Sequence, residues 1–158
     1  MNFAERFKIV PMGQALDMSS TVVTESVNCK DMHHATLIFS FDALATASSV
    51  LTVHSGATTG AMTSDLTFRY AFGSAAIMSA LSDVLAATST SSALTITYDS
   101  YSDYMLVVDV DMSEMDLDNG EYWLTCELTD PGTATGLVTV IGIFETRYPG
   151  NQSKTVTA

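Results

Sequence analysis

The sequence predicts an all-β chain: an antiparallel β-sandwich or jelly-roll-like domain with one short helix. Three observations lead there. Short segments alternate apolar and polar residues with period two. Breaks rich in Gly, Ser, Thr and Asn recur between them. Only one segment changes to helical spacing.

Phe7 to Met12 reads as a first strand, with Pro11 placing it at an edge or a strand end. Leu16, Met18 and Val22-Val23 suggest a second extended stretch, and Asn28 to Met32 a turn. His34 to Phe41 is a strand in which Leu37, Phe39 and Phe41 share a face. Ser49 to His54 is another, and the small, polar link Asp42 to Ser48 suits a hairpin loop. The stretch SGATTGAMTSD reads as an exposed loop.

Leu66 to Phe72 alternates again and ends at Gly73. Ala75 to Ala87 then places Ile77, Leu81 and Val84 or Leu85 at the spacing of an apolar helical stripe, in a segment rich in Ala and Leu. Such a helix is expected to plug a sheet end or pack across a loop. Residues 88–92, TSTSS, form a connector. Strands follow at Leu94 to Tyr98, Tyr104 to Asp111 and Tyr122 to Thr129. Asp130-Pro131-Gly132 makes a turn, because Pro presets φ and Gly accepts a positive one. The near-continuous apolar run Leu137 to Phe144 predicts a central strand covered on both faces. The polar stretch from about 149 to 158 reads as an arm on a single domain spanning residues 1–158.

Composition bounds the function. The chain is 47% hydrophobic and 15% charged, which favours a packed fold over global disorder. Its 18 acidic and 6 basic residues give a formal charge of −12. That field repels phosphate backbones, so no direct nucleic-acid partner and no anionic membrane partner is expected. No run approaches the roughly 18 apolar residues of a membrane-spanning helix. The N-terminus lacks the apolar core of a signal peptide, which implies synthesis in a cytoplasm. Cys29 and Cys126 fit no disulfide framework or zinc spacing. Cys126 lies among alternating apolar residues, as a buried reduced thiol would.

Residues 109–123, DVDMSEMDLDNGEYW, raise the question of a metal or catalytic carboxylate cluster. An EF-hand loop needs alternating oxygen ligands and a Glu six positions after its Gly. Here Asn119 directly follows Asp118, and the position six past Gly120 is Cys126. Asp116 and Asp118 remain weak candidates for a different calcium site, and no cofactor is expected. The structural alternative is a polar crossover, with Asp109 and Asp111 on the outward strand face, an Asn119-Gly120 turn, and mostly solvated carboxylates.

His33 and His34 are adjacent on a strand and so point to opposite faces. There is no G-x-S-x-G elbow and no phosphate-binding glycine loop. The reading is therefore not an enzyme. Trp123 faces away from Tyr122, which makes it either an exposed interface aromatic or part of a covered second face.

A resemblance adds to this reading. The chain ends in a hydrophobic strand from Leu137, then Glu145-Thr146-Arg147-Tyr148, Pro149-Gly150 and a polar tail. Earlier come the NCKDMHHATLIFSF segment, Phe68-Arg69-Tyr70, the strand Val107 to Asp111, and Tyr122-Trp123-Leu124. Together these resemble small head proteins of tailed phages and prophages, the capsid decoration or cement proteins. The resemblance implies a structural virion protein on the capsid exterior, made in the host bacterial cytoplasm. It also implies the major capsid protein as partner and self-association, with a homotrimer as the candidate form. On that reading the expected contacts are in the terminal segments: Phe3, Arg6, Phe7, Arg147, Tyr148 and Lys154. No catalytic residues come with it. The rival is a carbohydrate- or receptor-binding sandwich using Trp123 and the tyrosines Tyr98, Tyr101, Tyr104 and Tyr122.

Overall fold

Period-two sequence becomes two-faced strands. The computed structural model describes residues 3–129, 132, 134–148 and 154–158. In chain order the strands are β1 (Phe7–Asp17), β2 (Val22–Val23), β3 (Val27–Asn28), β4 (Met32–Phe41), β5 (Ser49–Gly56), β6 (Ser64–Asp65), β7 (Phe68–Phe72), β8 (Ser89–Ser91), β9 (Ala93–Ile96), β10 (Met105–Asp111), β11 (Trp123–Thr129) and β12 (Leu137–Thr146). Two four-residue helical turns, α1 (Phe3–Arg6) and α2 (Tyr98–Tyr101), complete the set with two short 3-10 turns.

The strands form two antiparallel sheets. The larger runs β1-β12-β4-β10-β7-β8. The smaller runs β2-β11-β5-β6, with β3 also on β11 and β9 also on β5. The all-β sandwich expected from the sequence is the fold observed. Its core lies between the sheets. Leu37, Phe39 and Phe41 of β4, Leu106, Val108 and Val110 of β10, and Val138, Val140 and Phe144 of β12 come from one side. Leu51 and Val53 of β5 and Leu124, Cys126 and Leu128 of β11 come from the other. Each large apolar side chain so buried contributes about 1.5–3 kcal/mol.

Several expectations change. Residues 75–87 are not helical. They form a chain of turns in which Met78 and Leu81 take positive φ values of 67° and 68°. The helical turns sit instead at the N-terminus and at 98–101. The apolar side chains Ile77, Leu81, Val84 and Leu85 stay exposed, and without close tertiary packing a helix this short is marginal. The 42–48 link is not a hairpin loop, because β4 and β5 belong to different sheets and it crosses between them. The connector at 88–92 contains β8, which pairs with β7 through Phe68↔Ser91.

β12 is central, between β1 and β4, but it is covered on one face only. Leu137 and Ile141 on its outer face are 38% and 40% exposed. The turn expected at Asp130-Pro131-Gly132 falls outside the described residues except for Gly132, whose φ is 97°. Pro149-Gly150 also lies outside them.

Candidate functional surface

The acidic stretch is dispersed by the fold. Asp109, on the outer face of β10, accepts from the Thr36 hydroxyl at 2.7 Å and lies 3.3 Å from His34 Nε2. Asp111 accepts from the Ser113 N–H at 2.9 Å and caps the first 3-10 turn. That bond, made to the charged form, holds the Asp111 carboxyl below its usual range. Asp116 caps the second turn through the Asn119 backbone and side-chain nitrogens. Gly120 closes this turn in the left-handed conformation at φ 76°, as the Asn-Gly signal anticipates.

Glu114 and Asp118 are exposed. Glu121 departs from the solvated picture: it is 6% exposed and accepts from the fully buried Ser55 hydroxyl at 2.7 Å. Among the described residues no group of three His, Cys, Asp or Glu side chains is arranged to hold a metal ion.

The smaller sheet holds other buried polar contacts besides Ser55–Glu121. Ser26 and Thr125 share a hydroxyl contact at 2.7 Å, and the Gly60 N–H donates to Ser26 Oγ at 2.8 Å. The Cys126 N–H donates to the Thr24 hydroxyl at 3.1 Å. Opposite Thr125 in register, His54 is 9% exposed, with Nε2 2.8 Å from the Thr52 hydroxyl. Asp65 Oδ1 lies 2.8 Å from Nδ1, but outside hydrogen-bonding alignment. Carboxylate, imidazole and hydroxyl thus stand in sequence, in an imperfect array that sequence spacing does not reveal. The signal for it was the apolar alternation of β5, which puts Thr52 and His54 on its outer face.

The terminal residues meet at one corner. Phe3 stacks on Phe7 with centroids 4.7 Å apart. Arg6 pairs with Glu145 at 2.8 Å, and its guanidinium keeps the Glu145 carboxyl below the usual range. Arg147 donates from Nε to the Met32 carbonyl and from its backbone N–H to the Asp31 carbonyl. Lys8 donates from Nζ to the Lys154 carbonyl. The Asn28 N–H donates to the Val156 carbonyl at 2.8 Å, so residues 154–158 lie back against the body. Tyr148 is 62% exposed.

Trp123 is half-buried, neither core nor open platform. It lines a cavity of about 210 Å³ with Met32, Val156, Lys30 and Lys154. Lys30 lies 5.4 Å from the Tyr122 ring centroid. Tyr98, Tyr101 and Tyr104 are at the opposite end of the sandwich. There Tyr101 stacks on Phe72 at 3.6 Å and meets Tyr104 edge-on. The sequence joined these aromatics because they are close along the chain, but β10 spans the domain between them.

No family model matches the chain. No curated protein matches it by sequence. Among solved structures, the fold is similar to the crystal structure of the SPBc2 prophage-derived protein YomS. The TM-score is 0.52 at 13% identity, covering 87% of this chain and 91% of that one. The likeness is one of fold and extends over nearly the whole domain. No helix among the described residues is long and apolar enough to cross a membrane.

Proposed function

We propose that this chain is a non-enzymatic structural protein of a phage or prophage particle, binding the outer surface of the capsid as a decoration or cement protein. The observation that carries the reading is the fold shared, over 87% of the chain, with a prophage-derived protein. The outer face of the larger sheet supports it. Register aligns Pro11, Ile141, Ile38 and Val107 in one row across β1, β12, β4 and β10. All four are at least partly exposed, and such an apolar row suits adhesion to another protein.

On this reading the row and the terminal corner with Phe3, Arg6, Arg147 and Tyr148 meet neighbouring major capsid subunits. Contacts across a joint favour the assembled shell by mass action. Separation of Trp123 from Tyr98, Tyr101 and Tyr104 leaves the glycan-platform reading without a shared surface. Purified protein is expected to co-sediment with expanded shells and not with unexpanded precursors, and to raise the temperature at which they release DNA. Absence from both shell forms, with unchanged release, would refute the proposal.

A further inference from the structure

Two features at opposite ends of the sandwich match each other. At one end, where β7 stops and β10 starts, the 75–87 turns project an apolar knob. Met78 is 97% exposed and Leu81 64%. Both hold positive φ, a conformation that branched or long side chains seldom adopt without some compensating gain. The segment is tied down, since the Ile77 N–H donates to the Asp103 carbonyl and the Ser74 N–H to the Val84 carbonyl. Exposed carboxylates accompany it: Asp42 and Asp103 line one pocket with Ile77 and Met78, and Asp83 lies in the segment itself. No Lys or Arg lies between Arg69 and Arg147 in the sequence.

At the other end is the cavity of about 210 Å³ floored by Trp123, Met32 and Val156. Exposed Lys30 and Lys154 stand on its rim, with Asp31 on one wall. Five of the chain's 6 basic residues, Arg6, Lys8, Lys30, Arg147 and Lys154, gather at this corner.

We propose that a second copy of this chain seats its Met78–Leu81 knob in the Trp123 cavity, with Asp83 and Asp103 facing Lys30 and Lys154. A thioether against an aromatic ring and carboxylates against ammonium groups suit both halves of the contact. Knob and cavity lie at opposite ends of the sandwich, so copies joined end to end make a heterologous contact in which no single partner fills both. Each added copy presents a fresh knob, and the product is a ring or a filament rather than a closed two-fold dimer. This inference does not depend on capsid binding, and its test contains no capsid.

Sedimentation velocity of the full chain at low salt is expected to show concentration-dependent species larger than a dimer, weakening as salt rises. A knob variant carrying Met78→Ser and Leu81→Ser, and a cavity variant carrying Lys30→Glu and Lys154→Glu, are each expected to raise the dissociation constant about tenfold or more. All four residues are exposed, so both variants should fold, with far-ultraviolet circular dichroism as the check. Mixing the two pairs one intact cavity with one intact knob, and is expected to give a dimer that grows no further. A wild-type chain that stays monomeric or stops at a dimer overturns the proposal. So does a mixture of the two variants that remains monomeric.

Discussion

Removing the Glu121 carboxylate separates a structural from a metal-binding role for the acidic stretch. Glu121 is 6% exposed and Ser55 is 0% exposed, and their side chains are joined at 2.7 Å. A buried hydroxyl left without its acceptor costs about 1–3 kcal/mol. Glu121→Ala also frees a carboxyl from a buried setting, which offsets part of this, so the net loss should be about 2 kcal/mol. Ser55→Ala should cost a similar amount. The double variant should cost clearly less than the sum, because removing both partners leaves nothing unpaired. Glu121→Gln keeps an acceptor and should stay within about 1 kcal/mol of wild type.

Asp118→Ala, at an exposed site, should fall within about 0.5 kcal/mol. In urea melts a slope of about 2 kcal/mol/M places the Glu121→Ala midpoint roughly 1 M lower. The melts are run with calcium and with chelator, and the curves should superimpose. The reasoning fails if Asp116→Ala or Asp118→Ala costs more than Glu121→Ala and the difference appears only with calcium.

Three further outcomes are expected. Phe39→Ala should cost about 3–5 kcal/mol, because Phe39 is fully buried. Ile38→Thr, one residue away on the outer face, should cost under about 1 kcal/mol, a contrast that chemical denaturation reads directly. Burial raises both cysteine thiols, Cys126 to about 12 and Cys29 further still with the nearby Cys126 adding to it. Native protein at pH 8 should therefore resist a disulfide reagent, and both thiols should react once it is unfolded. The Glu145 carboxyl, held low by Arg6, favours the folded state above its ordinary range and loses that contribution as pH falls through its folded value. A carbon-detected titration should show the depressed midpoint returning to the ordinary range in Arg6→Ala. The effect on stability should be small and salt-sensitive, since the pair is exposed.

Much of the fold was legible in local pattern. Leu37, Phe39 and Phe41 on one side of β4, and Leu106, Val108 and Val110 on one side of β10, could be assigned from alternation because burial on one face dictates it. The Asn119-Gly120 turn was legible for the same kind of reason, since Gly tolerates the left-handed conformation required there. Less of the surface could be read. The weak Asp116 and Asp118 pair became a turn cap and an exposed side chain, while Glu121 went inside. Nothing near Glu121 in sequence announces Ser55, which is 66 residues away.

The helical spacing of Ile77, Leu81 and Val84 or Leu85 predicted a helix that the structure does not contain. A stripe becomes a helix only when another surface covers it. The sequence by itself determined the class of fold, most strand positions, the inward residues of β4, β5, β10 and β11 and the strongly acidic charge, because neighbouring residues settle all of these. Tertiary structure alone decided which strands share a sheet, that residues 42–48 cross between layers, that Trp123 sits beside Val156, and that cations and an apolar knob occupy opposite ends. Those facts depend on contacts between residues far apart in the chain, whose closure entropy is recovered only when the whole sandwich forms.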